Sequence, residues 1–159
     1  VAQVDIGGPT GVTPAVQGDR VYFGTEGGVF YCIDWKKAEV VWTYRPPRGN
    51  QQYRSSAAVT EELVVVGTRD RSLLALDANS GEEKWRFSAK RRIDSSPVIS
   101  GDRVFVGSSD GRIYAVDLET GKQVWEYEAG GGFAASPAVS KGRLVITSDD
   151  GFVYCFGKK

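Results

Sequence analysis

Apolar residues in this chain fall in short runs separated by glycine-containing polar breaks. The runs Leu63-Val64-Val65-Val66 and Val104-Phe105-Val106 are apolar at consecutive positions. That is the pattern of strands covered on both faces, not of a sheet with one wet side. No segment has the helical spacing of apolar residues. In one representative stretch the pattern predicts strands near residues 96–100, 103–108, 112–117 and 123–128. They are broken at Gly101-Asp102, Asp110-Gly111 and Thr120-Gly121, pairs that supply the positive φ a tight hairpin needs. The stretch reads as an antiparallel meander of four strands.

The meander recurs. Thr13-Pro14-Ala15-Val16, Ser56-Ala57-Ala58-Val59, Ser96-Pro97-Val98-Ile99 and Ser136-Pro137-Ala138-Val139 open four units offset by 43, 40 and 40 residues. Trp42, Trp85 and Trp125 each follow Gly24, Gly67 and Gly107 by 18 residues. Self-similarity with a period near 40 residues marks propeller and solenoid folds. The units span residues 13–44, 56–88, 96–128 and 136–157 of a single domain, 1–159. The three extra residues of the first offset belong to the connection around Arg45-Pro46-Pro47-Arg48-Gly49-Asn50-Gln51-Gln52. The fourth unit stops after its third strand, at Phe152-Val153-Tyr154-Cys155-Phe156. Ala2 precedes Pro14 by the same 12 residues that separate Trp125 from Pro137. Residues 1–6 are therefore in register with the missing outer strand and are expected to complete the last blade, which would remove an open sheet edge.

The third-strand segment Ala115-Val116-Asp117-Leu118-Glu119-Thr120-Gly121-Lys122-Gln123-Val124-Trp125 is echoed by Ala75-Leu76-Asp77-Ala78-Asn79-Ser80-Gly81-Glu82-Glu83-Lys84-Trp85. It resembles the tryptophan-docking motif of PQQ-like repeats, the eight-bladed propeller superfamily of quinoprotein alcohol dehydrogenases and BamB-like assembly lipoproteins. The resemblance covers essentially the whole chain and implies an all-β propeller of four-stranded antiparallel blades, four per chain. The indoles of Trp42, Trp85 and Trp125 are expected to lie against Ala75, Ala115, Gly81 and Gly121 of adjoining blades, each N–H reaching a backbone carbonyl. Three closures follow: an eight-bladed ring made by a homodimer that exchanges first strands, a closed four-bladed monomer, or half of a longer propeller. Relatives of this type close at eight blades, which favours the homodimer. The resemblance also implies a periplasmic or exported protein.

Composition narrows the chemistry. Twenty Lys and Arg balance twenty Asp and Glu, leaving no global field to attract nucleic acid or an anionic membrane. No run approaches the roughly 20 apolar residues of a membrane span, and nothing at Val1 resembles a leader. There is no histidine, which removes the usual catalytic triads and imidazole metal sites. Cys32 and Cys155 stand where the middle units carry Ala75 and Ala115. They read as small packed residues, bridged only if the first and fourth units are neighbours. The adjacent cysteine pair of quinoprotein dehydrogenases is absent, and Asp149-Asp150-Gly151 lacks the ligand spacing of an EF-hand. Gly130-Gly131-Gly132 precedes a strand, not the helix of a phosphate-binding loop. No cofactor, metal or catalytic residue is expected. A non-enzymatic scaffold or protein-interaction module ranks first, with a partial or degenerate quinoprotein, its catalytic residues absent from this chain, as the alternative.

Loops on a rigid scaffold are the usual carriers of recognition. One face gathers Arg45, Arg48, Tyr53, Arg54, Arg69, Arg71, Lys90, Arg91 and Arg92, with Asp110, Phe133, Asp149 and Asp150 further round. Arginine and tyrosine are favoured at interface hot spots, and arginine grips carboxylates bidentately. An anionic or acidic-peptide partner is expected across Tyr53, Arg54, Arg69, Arg91 and Arg92.

Overall fold

The computed structural model describes residues 3–47 and 52–157; Ala2 and Arg48 lie outside them. Fifteen strands form four antiparallel sheets with no helix among the described residues. Blade one contains β1 (Ala15–Gln17), β2 (Arg20–Gly24), β3 (Phe30–Asp34) and β4 (Glu39–Tyr44). Blade two contains β5 (Ala58–Val59), β6 (Leu63–Gly67), β7 (Ser72–Asp77) and β8 (Glu83–Ser88). Blade three contains β9 (Val98–Ser100), β10 (Arg103–Gly107), β11 (Arg112–Asp117) and β12 (Gln123–Glu128). Blade four has three strands, β13 (Ala138–Ser140), β14 (Arg143–Thr147) and β15 (Val153–Phe156). Each blade is a meander in chain order, and the innermost strands touch in sequence, β1 with β5, β5 with β9, β9 with β13. The fold is the propeller arrangement that the repeat predicts.

Three apolar layers lie between successive blades. Tyr22, Phe30 and Cys32 face Val64, Val66, Leu74 and Leu76 in the first. Val65, Leu73 and Ala75 face Val104, Val106, Tyr114 and Val116 in the second. Ile113 meets Leu144 and Ile146 in the third. Because successive side chains of a strand leave opposite faces, an inner blade must be apolar at every position. The connections add a plug to each layer. Tyr53, Ile93 and Phe133 sit so close over Gly24, Gly67 and Gly107 that a Cβ there would come within 2.3, 2.4 and 2.5 Å of them.

An irregularity repeats in the outer strands. Cys32 pairs with Trp42, Ala75 with Trp85 and Ala115 with Trp125, and in all three blades the register shifts at the next residue. A bulge of this kind bends its strand and re-aims the neighbouring side chain. Here it lies beside each tryptophan and leaves Val41 and Val124 facing solvent.

Ring closure differs from one of the expectations. Residues 3–6 form no strand within the single chain, and the Ile6 carbonyl accepts a hydrogen bond from the Tyr31 hydroxyl of blade one at 2.9 Å. Glu26 N–H to the Pro9 carbonyl and Thr10 Oγ1 to the Gly24 carbonyl hold the rest of that segment on blade one. The chain is also not a closed four-bladed ring. Val145 and Val153 on the far face of blade four are 36% and 66% exposed, and Val16 of blade one is 59% exposed, so the terminal blades do not cover each other. Cys32 is buried, Cys155 is exposed, and both are free thiols.

Candidate interaction site

The site is built from the hairpin turns between second and third strands and the connections between blades. All four turns close with the same hydrogen bond: Gly28 N–H to Thr25, Arg71 N–H to Thr68, Gly111 N–H to Ser108 and Gly151 N–H to Ser148. A hydroxyl and, in the last three turns, a carboxylate brace them, as where Asp110 Oδ1 accepts the Arg112 N–H while its Oδ2 accepts the Tyr114 hydroxyl and the Lys90 N–H. Asp150 repeats this with Phe152 and Tyr154, and that bond to Tyr154 leads the causes that hold its carboxyl below the ordinary range. The second residue of each later turn donates its N–H to the connection behind it, Arg69 to Gln52, Ser109 to Arg92 and Asp149 to Gly132. Turn and connection are thus fixed to one another by backbone bonds, which keeps their side chains in a constant relation.

Four arginines converge there. Arg69, Arg71, Arg91 and Arg92 line one open cavity of about 510 Å³ together with Ser109, Gly132 and Asp149. Asp94 spaces two of them, its Oδ1 lying 3.3 Å from Arg69 Nε and its Oδ2 3.1 Å from Arg92 Nε. Arg69 also reaches Gln52 Oε1 at 3.2 Å. Among the described residues Arg71 and Arg91 have no carboxylate in ion-pair range. Four guanidinium groups against Asp94, Asp149 and Asp70, the last sharing an adjoining hollow with Arg69 and Arg92, leave a local surplus of positive charge on a chain that is neutral overall. Such a surface can hold carboxylate or phosphate oxygens through charge-assisted bonds.

The expected residues divide. Arg69, Arg91 and Arg92 share the cavity. Arg54 lies apart from it, exposed, 3.9 Å from Glu26 on the turn of blade one. Tyr53 is corrected: it is buried under Gly24 with its ring edge-on to Phe30, because the residue that plugs the first layer falls in the same connection that supplies surface charge. Arg71 joins the cavity, and the repeat alignment carried its signal, since the other three units have glycine at that position.

The tryptophans also separate from their expected alanine partners. Trp42 Nε1 donates to the Ala78 carbonyl at 3.1 Å, and Trp85 Nε1 donates to the Leu118 carbonyl at 2.9 Å. Their rings lie against Gly81 and Gly121, where a Cβ would approach to 2.6 and 2.5 Å. Ala75 and Ala115 instead sit opposite Trp85 and Trp125 in the same blade. A small cross-strand partner leaves room for the indole to lie over. Trp125 packs edge-on against Phe156 with ring centres 5.3 Å apart. The exposed Trp35 lies in the turn after β3, with Lys36 Nζ 5.7 Å from its ring centre.

The opposite end of the blades has contrary charge. Glu61, Glu62, Asp102, Asp117 and Glu119 line a cavity of about 530 Å³ with Thr60, Leu63 and Leu118. The Thr120 hydroxyl and N–H hold the Asp117 carboxyl below its ordinary range. Among the described residues no three acidic or thiol side chains converge in a metal-holding arrangement, and no helix is long and apolar enough to cross a membrane.

Comparison with known proteins reaches almost the full chain. The family profile described as outer membrane protein assembly factor BamB matches residues 1–96 and 75–158. A protein of Xanthomonas campestris pv. campestris bearing the same description is 31% identical over 91 residues, 53% of this chain and 22% of that protein. The crystal structure of BamB from Moraxella catarrhalis superposes with a TM-score of 0.79 at 25% identity, covering 89% of this chain and 47% of that one. The computationally designed Ika4 protein superposes at 0.82 over 97% of this chain and 96% of its own, at 17% identity, a likeness of fold alone. This chain spans less than half the length of the two BamB relatives.

Proposed function

Because this chain belongs to the BamB family of PQQ-like repeat propellers, we propose that it is a non-enzymatic scaffold whose loop face docks an acidic segment of a protein partner. The observation that carries this reading is the gathering of Arg69, Arg71, Arg91 and Arg92 around one cavity, on turns held rigid by backbone bonds. Loops fixed to a scaffold retain little conformational freedom to lose on binding. Export to the periplasm fits relatives named for outer membrane protein assembly. The test is titration with an acetylated and amidated hexaglutamate peptide. Replacing Arg54, Arg91 and Arg92 together by alanine should weaken binding by at least tenfold and flatten its salt dependence. Undiminished affinity with an unchanged salt slope would refute the reading.

We also propose that the arc is completed by a second copy of the chain. Val145, Val153 and Cys155 occupy the repeat positions of Val65, Leu73 and Ala75, whereas Val21, Phe23, Tyr31 and Ile33 occupy those of Val104, Val106, Tyr114 and Val116. The exposed far face of blade four is thus patterned to receive the far face of blade one. Residues 3–6, anchored to blade one at Ile6, alternate between exposed and half-buried as an outer strand does. Paired as β12 pairs with β11, Gln3 would stand beside Tyr154 and Val4 beside Val153 of the other copy. An isologous dimer closes eight blades with two-fold symmetry. Light scattering on the eluting protein should give twice the protomer mass of 17.3 kDa, and Val153→Lys should return it to the protomer. A wild-type particle of 17.3 kDa would exclude the pairing.

A further inference from the structure

The four hairpin turns share the same closing backbone hydrogen bond and the same left-handed closing residue. The residue that closes each has φ of 80° at Gly28, 77° at Arg71, 84° at Gly111 and 85° at Gly151. This left-handed region is open to glycine and disfavoured by any Cβ. Three turns meet the requirement with glycine, whereas the second accepts the strain of an arginine. That strained residue lines the four-arginine cavity. Strain retained at a site lined by like charges is an observation from which function can be argued.

The charges in the cavity fall into two kinds. Arg69 and Arg92 are tied to Asp94, so their forks are partly occupied and their positions fixed. Arg71 and Arg91 have no carboxylate in ion-pair range among the described residues, so their forks are open to an incoming ligand. The wall also carries Asp149, which repels a compact dianion placed centrally. Separate monoanionic groups spread along a chain can instead reach individual guanidinium groups and avoid it.

We propose that Arg71 and Arg91 determine specificity at this site by each taking one side-chain carboxylate of an extended acidic peptide, with Arg69 and Arg92 as the positioned background charge. The assignment rests on the reading of this face as the docking surface and adds which residues select the partner and what they select. Arg71 then trades fold stability for recognition, a trade that activity-bearing residues commonly make.

Arg71→Gly separates the two properties, because it restores the residue that the sibling turns use and so preserves folding. The melting temperature should rise by a few degrees. Affinity for the hexaglutamate peptide should fall about tenfold, the loss of one charge-assisted fork, and about a hundredfold when Arg91→Ala is added. If Arg71→Gly binds the peptide as well as the wild type while the triple alanine variant is weakened, this assignment is wrong and the docking face stands. If the wild type does not bind hexaglutamate at all, both fall. Displacement of the peptide by an equal concentration of inorganic phosphate or of a short oligonucleotide would overturn the carboxylate preference.

Discussion

Blades two and four are built on the same repeat, yet one is buried on two faces and the other on one. Val64, Val65, Val66, Leu73, Leu74, Ala75 and Leu76 are all completely buried in blade two. In blade four Leu144 and Ile146 are buried, while Arg143, Val145 and Thr147 of the same strand face water. Hydrophobicity does not explain the difference, since Val145 stands at the repeat position of Val65. The neighbour does. Half of every blade's apolar set is stabilised only when the next blade arrives, so stability is a sum of blade terms and blade–blade interface terms.

The tryptophans offer the sharpest way to break this comparison. Trp85 is 8% exposed, and its N–H is bonded to the next blade; Trp85→Ala should cost about 3–5 kcal/mol, measured by urea denaturation. Trp125, on blade three, is only half-buried against the three-stranded terminal blade, and Trp125→Ala should cost about 1–2 kcal/mol. Equal losses would mean that the neighbouring blade contributes nothing. An effect smaller than that of Trp85→Ala sharpens the same point through glycine. Gly81→Ala places a Cβ 2.6 Å from the Trp42 ring at φ 77° and should cost about 2–3 kcal/mol, with Trp42 fluorescence shifted to the red. Gly151→Ala has φ 85° with no neighbour within 4 Å, so only the backbone term of about 1 kcal/mol remains.

Much of the architecture was legible because it follows from period and pattern. The strand expected at residues 112–117 is β11, Arg112–Asp117, and that at 123–128 is β12, Gln123–Glu128. What was illegible depends on direction in space. Tyr53 lies one residue from Arg54 in a connection, and only the fold sends the first under Gly24 and the second to Glu26. Ala75 and Gly81 both surround an indole, but on opposite faces of blade two, so spacing alone assigned both to the same ring. Residues 3–6 have the register of an outer strand, yet register is silent on whether the sheet they join belongs to the same chain or to a second copy. Arg71 could have been found in the sequence by reading down the turn column and asking why one member is not glycine.

The smallest predicted effect concerns the turn beneath the docked indole of Trp42. Asp77 Oδ1 accepts the N–H groups of Asn79 and Ser80 at 2.9 Å each, and its Oδ2 lies 3.0 Å from Lys84 Nζ. Its backbone carbonyl accepts the Gly81 N–H, so the carboxylate helps to shape the platform on which Trp42 rests. The bond from Ser80, then Lys84 and the bond from Asn79, hold its carboxyl at about 2 against an ordinary 3.8. A group depressed in the folded state favours folding fully above its unfolded pKa and loses that contribution as pH falls toward the folded one. Asp77 should therefore stabilise the protein above about pH 4 and stop doing so by about pH 2. Solvent screening at a partly exposed side chain keeps the effect on the order of 1 kcal/mol. Asp77→Asn retains an acceptor for the turn but not the charge, so the stability of this variant should fall less steeply between pH 4 and pH 2 than that of the wild type. Parallel curves in urea melts across that range would show that the charge contributes nothing to the platform.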